Sequence, residues 1–353
     1  MLHRRPRSTA RTGLLSALVL SVLLPAAIVR PATAQPAGIG ALSTSTTLNA
    51  DARARIEAYG RWWTDALESG SDIDRALDRL VEPVRGGAAT AIFRAEYGDV
   101  VLDPLLGIVR DADDPQAVTA AVVAIGQVGS ETALRRLVDL TDARAEPRPI
   151  VRQVAAHSAA RLLDSGKLAP IEARTMIAAA RGLRRAAGNE THHDVLLRQL
   201  QGIVAADDTR LPADARGEIY TYLGEAVGET ATGTDPDGRP LGGASSIIAA
   251  IVLGQMLQVP DRDVQEAMGR ALCPALVQVL EAYGEQWSSL RGGDRAIATH
   301  AAEVERIENA LDRMVPLAYP GRAVPRTEAS EAWSGDDAGG YAETVRAWRT
   351  AVR

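Results

Sequence analysis

The chain has 353 residues, 46% of them hydrophobic and 24% charged, with a formal net charge of −6; this is globular chemistry and excludes a disordered chain. Its one cysteine, Cys273, excludes an intramolecular disulfide framework and any cysteine-based zinc cluster. Aromatic residues make up only 4%, with Phe93 the single phenylalanine, and nothing in the balance points to a particular reaction.

Residues 1–34 read as a secretory signal peptide. Arg4, Arg5, Arg7 and Arg11 precede an apolar run over 14–24 that continues past Pro25 to Val29, and Ala32-Thr33-Ala34 offers a small-x-small cleavage site before Gln35. The run is shorter than the roughly 20 residues of a spanning helix. The expectation is export to a periplasmic or extracellular space without stable membrane insertion after cleavage, an uncleaved anchor being the alternative. Cleavage would remove five arginines and no acid, taking the net charge from −6 to −11. That argues against nucleic acid as a partner, since phosphate backbones need clustered positive charge. Residues 35–49, rich in Ser, Thr, Gly and Ala without a period, predict a flexible linker.

From Ala50 onward the apolar spacing is helical and no alternating strand run appears. Ile56, Tyr59, Trp62, Trp63, Ala66 and Leu67 form one face of a helix ending at Gly70. Ser71, with Asp74 three residues on, predicts a capped start for the next. Leu102, Leu105, Leu106 and Val109 give another, after which Asp113-Asp114-Pro115 supplies a cap and a first-turn proline. The following helix carries Val118, Ala121, Val122, Ile125 and Val128 and closes at Gly129. The pattern then recurs: Leu134 and Leu137 repeat Leu102 and Leu105, and Val151 repeats Val118, at a period of about 33 residues that marks a helix-pair repeat.

The turn residues resemble those of the HEAT and HEAT-like repeat family. Its pattern is an acid in the turn between helices, then Val-Arg six residues later, then small residues. Glu146 with Val151-Arg152 and Ala155-Ala156 follows it, as does Asp113 with Val118 and Ala120-Ala121, with Pro115 opening the helix and Thr119 standing where the pattern has arginine. The resemblance is clearest over 100–164. It implies an all-α fold, a right-handed α-superhelix (α-solenoid) of stacked antiparallel helix pairs, in which acid and arginine bond to equivalent groups of adjacent repeats. The expected organisation is a HEAT-like region over 50–230 and a helical C-terminal region over 231–353 that continues or caps it.

Beyond 165 the repeat decays. Pro170 and Pro212 are expected to open helices, residues 229–243 form a turn-rich loop, and 247–259 is apolar on nearly all sides, predicting a central buried helix. Pro274 is expected to kink or break the helix around it, Asp294 to cap a long helix through Val315, and 316–337 to be irregular before a terminal helix bearing Trp348.

Few residues suggest chemistry. His192-His193-Asp194 is the one cluster of potential ligands, but neighbouring helical positions diverge by about 100°, so a solvated helix start is expected. Asp235-Pro236-Asp237-Gly238 is a turn, because a calcium loop would need glycine and glutamate where Pro240 and Ser246 stand. Ser245 or Ser246 caps a helix, Arg181, Arg184 and Arg185 are a solvated face, and Cys273 is a buried small hydrophobe. No catalytic residue, cofactor or metal ligand is expected. Trp62, Trp63, Trp333 and Trp348, near the two ends, are expected to seal the exposed ends of the stack or to contact a partner. The favoured expectation is an exported, non-enzymatic scaffold for protein–protein interaction, the second helix of each pair lining the binding surface. The alternative is an exported α/α-toroid enzyme acting on polysaccharide.

Overall fold

The helical periodicity is realised throughout the residues that the structure, a computed structural model, describes: 35–164, 171–326 and 328–353. Residues 1–34, read as the signal peptide, and Pro170 lie outside them. In chain order the first helices are α1 (Gly40–Ser43), α2 (Ala50–Glu68), α3 (Ile73–Val81), α4 (Ala91–Asp111), α5 (Pro115–Val128), α6 (Glu131–Asp139), α7 (Pro149–Asp164) and α8 (Ala173–Ala187). They continue as α9 (His193–Ala205), α10 (Ala213–Thr230), α11 (Gly242–Met256), α12 (Arg262–Glu285), α13 (Trp287–Leu290), α14 (Asp294–Ala318), α15 (Ala329–Ser334) and α16 (Ala338–Ala351). A 3₁₀ turn, Glu82–Gly87, joins α3 to α4, and the described residues hold no strand, only an isolated bridge between Thr234 and Pro240.

Packing alternates along much of the chain, with the first-helix row interrupted between α4 and α6. Among the first helices of each pair, α2 lies on α4, α6 on α8, α8 on α10 and α10 on α12; among the second helices, α3 lies on α5, α5 on α7, α7 on α9, α9 on α11 and α11 on α14. The rows are tied by partners within a pair, such as α4 with α5 and α8 with α9. No pair is large enough to bury its own apolar stripe. Leu105, Leu134, Leu183, Leu223 and Leu280 are wholly enclosed, each worth about 1.5–3 kcal/mol of transfer free energy. The packing runs on across the loop between α10 and α11, so that loop does not separate two cores. No described helix is long and apolar enough to cross a membrane.

Several local signals act as read from the sequence. Asp114 accepts from the Gln116 amide at 2.8 Å, Pro115 opens α5, and Gly129 closes it in the left-handed region at φ 74. A close helix contact also rests on a glycine: a Cβ on Gly224 of α10 would lie 2.2 Å from the Ala271 carbonyl oxygen of α12.

Others differ. The cap of α3 is Asp72, accepting from the Arg75 amide, and not Ser71. Asp294 is the first residue of α14, with Gly293 at the cap position. The 35–49 stretch is folded onto the body: Ile39 is 1% exposed, and the Ser43 and Ser45 carbonyls accept from the Thr90 amide and hydroxyl. Buried Ile39, part-buried Leu42 and Leu48, and bonds from the Thr90 amide and hydroxyl hold a stretch whose composition has no period. Helix α12 runs through Pro274, its two halves held by packing on α10 and α14; tertiary contact outweighs the local cost of proline. Helix α11 is buried all round in its first turn but from Ile247 onward leaves one side open, with Ala250 and Gly254 exposed and its C-cap Leu257 56% exposed. Its neighbours α9 and α14 flank it and α12 backs it, so one side faces outward. In the stretch expected to be irregular, α14 reaches Ala318 and α15 forms, capped by buried Glu308, which accepts from the Ala329 and Ser330 amides at 2.9 Å each.

Candidate functional site

The repeat-signature residues divide between two turns. In the turn before α7, Glu146 is buried and accepts from the Arg148 amide at 2.9 Å and from its guanidinium at 2.8 and 2.7 Å. Burial works to raise the Glu146 carboxyl, and the Arg148 hydrogen bonds outweigh it, leaving it below its ordinary range. Arg148 also donates to the Val109 carbonyl at the end of α4, 2.5 Å away, tying this turn to the preceding pair. Arg152 on α7 donates at 3.0 and 2.9 Å to the Glu146 and Pro147 carbonyls and pairs with both oxygens of Glu190 in the next turn. Val151 lies buried beside it. The turn before α5 makes no such link. Asp113 is exposed while Asp114 takes the capping role, Val118 is buried, and the Thr119 hydroxyl bonds back to the Pro115 and Gln116 carbonyls of its own helix.

Glu190 is the residue that the sequence reading missed. It precedes Val195 by five positions, as Glu146 precedes Val151 and Asp113 precedes Val118. That spacing was the available signal.

Trp63, Trp333 and Trp348 are buried, which removes them as surface contacts for a partner, while Trp62 is half-buried. Trp63 meets the Tyr59 ring edge-on at 6.3 Å in α2. Trp333 is packed by Trp287, Tyr341, Tyr283 and His300, with ring centroids 4.6, 5.6, 5.9 and 6.2 Å away.

The starts of α9 and α14 border a cavity of about 640 Å³ lined by His193, Arg239, Arg295, Thr299, His300 and Glu303, among others. Glu303 Oε2 accepts from the Tyr283 hydroxyl at 2.6 Å and lies 2.8 Å from His300 Nδ1. Burial works to raise the Glu303 carboxyl; hydrogen bonds from His300 and Tyr283, with the charges of His300 and Arg306, overcome it and hold the group below its ordinary range. Burial, then the Glu303 charge, pushes the Tyr283 phenol well up. Gly243 separates Glu303 from His193: a Cβ there would stand 2.7 Å from Glu303 Oε1 and 3.0 Å from His193 Nε2. The arrangement can accept and orient a polar group. The one hydroxyl in its wall, Thr299, is engaged with the Arg295 carbonyl at 2.8 Å.

An α/α-toroid enzyme would need histidine and tyrosine side chains converging in one cleft, and the candidates here are dispersed. His192 sits beside Glu190, His193 in the cavity wall, Tyr220 on Asp207 and Gln255, and Tyr222 on Arg181 and Glu218. Asp235 closes its turn by accepting from the Asp237 and Arg239 amides. Neither Ser245 nor Ser246 caps α11: Ser246 donates to the Gly243 carbonyl, and buried Ser245 Oγ has no hydrogen-bond partner. Arg181 and Arg184 are held by Glu218, Glu225 and Glu229 of α10. Burial pushes the Cys273 thiol up to about 12. Among the described residues, no group of three or more His, Cys, Asp or Glu is placed to hold a metal ion.

Part-exposed side chains of the second-helix row run across α5, α7, α9 and α11. They include the half-exposed aliphatics Val123, Val154, Leu197, Ile247 and Ile251 and exposed Ile150, interspersed with Gln153, Gln201, Ala250 and Gly254. No protein-family model matches the chain, and no curated protein matches its sequence.

Proposed function

We propose that the chain is an exported, non-enzymatic α-solenoid scaffold of HEAT-like helix pairs whose second-helix face binds a protein partner. The observation that carries this is the face across α5, α7, α9 and α11. Helices packed on both flanks leave aliphatic, amide and small side chains partly exposed, one helix after another, although Val154, Leu197 and Ile251 also touch the core and Gln201 accepts from Arg198. Contiguous part-exposed apolar surface rimmed by polar groups is the mark of an interaction site. The link from Arg152 to Glu190 between successive turns supports the HEAT-like reading. The α/α-toroid reading needs exposed aromatic platforms, and three of the five tryptophans are buried.

Affinity capture from extracytoplasmic extract tests the proposal. The wild-type chain is expected to retain a saturable protein partner, and the Ala250→Glu/Gly254→Glu chain to lose it; both positions have room for a side chain. Capture of nothing above background, or of the same proteins by both chains, would overturn it.

A further inference from the structure

Charge is distributed unevenly over this acidic chain. Helices α5 and α11 contain no acidic residue, and α7 and α9 carry one each, Asp164 and Asp194, at their ends. The flanking second helices differ: α3 carries Asp74 and Asp78, and α14 carries Asp294, Glu303, Glu305, Glu308 and Asp312. Within the acid-poor middle stand His157 and Arg161 on α7 and Arg198 on the adjoining α9. His157 and Arg161 are exposed and share one hollow, while Arg198 is half-exposed and donates to the Gln201 side chain at 2.9 Å. Neither arginine has a carboxylate at ion-pair distance among the described residues. Burial lowers the His157 imidazole, and the charges of Arg198 and Arg161 lower it further, so the ring is a neutral hydrogen-bonding group in the field of the two arginines. The first-helix row handles its cations differently, since Arg181 and Arg184 of α8 are met by carboxylates of α10. An acidic protein that leaves two neighbouring arginines without an ion-pair partner, beside an imidazole they keep neutral, leaves their charge for an outside group.

We infer that the segment bound at the middle of the second-helix face is an acidic peptide of the partner protein, its carboxylates held by Arg161, Arg198 and His157 and its apolar side chains by Val123, Val154 and Leu197. This rests on the binding role proposed above. Arginine presents a planar fork that matches a carboxylate, and the aliphatic positions on either side fit a segment that alternates acid with apolar residues. Such an interaction is salt-sensitive, because the cations are at the surface.

Panning a random-peptide display library on the full chain tests this. Selected peptides are expected to be richer in Asp and Glu than the starting library. Individual peptides should bind the Arg161→Glu/Arg198→Glu chain at least about tenfold more weakly. That chain should keep its thermal melt, and Arg185→Glu, which changes an exposed cation of the first-helix row, should keep its affinity. Peptides without acid enrichment, or indifferent to the double substitution, would overturn the acidic-segment inference and leave the binding role standing. Selection of no peptide at all would overturn both. Sedimentation with phosphatidylglycerol vesicles that depends on Arg161 and Arg198 would assign the face to a lipid surface and overturn the inference.

Discussion

Arg152 and Glu190 join two successive helix-pair turns through a doubly hydrogen-bonded ion pair. Nε lies 2.8 Å from one carboxylate oxygen and the second guanidinium nitrogen 2.8 Å from the other, with side-chain exposures of 3% and 0%. Glu190 also accepts from the Thr191 and His192 amides at 2.9 Å, so it begins α9 while it holds α7. Thr119 in the preceding pair, and Leu196 at the matching place in the next, carry no guanidinium, and the linkage is a single rung.

Removing one partner of a buried pair strands the other. Arg152→Ala is expected to cost about 3–5 kcal/mol. Glu190→Gln should cost less, because the amide oxygen still accepts from the turn amides. In urea denaturation the Arg152→Ala/Glu190→Gln double substitution is expected to cost less than the two single changes together. Strict additivity would show that the pair is not coupled.

The contact of Gly224 with the Ala271 carbonyl fixes the separation of α10 and α12. Gly224→Ala is expected to destabilise by about 1–3 kcal/mol, since backbone must move. Gly254→Ala in α11, where a Cβ meets nothing within 4 Å, should stabilise by about 0.4–1 kcal/mol through helix propensity and the unfolded chain. Thermal melts of the two variants should move in opposite directions.

The cavity cluster gives stability a pH dependence. The Glu303 carboxyl is held below its ordinary value of 4.5. Its contribution is therefore complete above that value and is lost as pH falls through the lowered one. Tyr283 is pushed above its ordinary 10.0, so its contribution is complete below 10.0 and is lost as pH rises beyond it. Glu303→Gln should flatten the acid limb of a stability–pH profile measured by urea denaturation; an unchanged acid limb would contradict this.

Trp333 sits inside a ring of four aromatic side chains, whereas Trp62 is half-buried on α2. Trp333→Ala is expected to cost about 3–5 kcal/mol, and Trp62→Ala under about 1.5 kcal/mol, as read from denaturant midpoints. Equal losses would show that Trp62 seals its end of the helix rows as tightly as Trp333 seals the other.

Much of the fold was legible because helix existence depends on local periodicity. Val118, Ala121, Val122 and Ile125 are four apolar positions of one helix and are all buried in α5. Caps beside a proline were legible for the same reason, as Asp114 and Pro115 show. What required distant partners was not. The α1 segment is held by Thr90, α15 is capped by Glu308, and α12 continues past Pro274 because α10 and α14 grip both halves. Periodicity also fails to say how many sides of an apolar helix are covered, and α11 looked central for that reason. In the cavity, His300 and Glu303 are three residues apart on one helix, which a helical spacing search would have found, but Tyr283 and His193 join them only through packing of α12, α14 and the start of α9.

Site-specific photo-cross-linking in the native compartment tests the binding face most directly. A cross-linking residue at Gln153, on the second-helix face of α7, is expected to trap one discrete protein partner, and the same residue at exposed Asp103 on α4 to trap none. Equal adducts from both positions, or adducts from Asp103 alone, would contradict a partner held by the second helices.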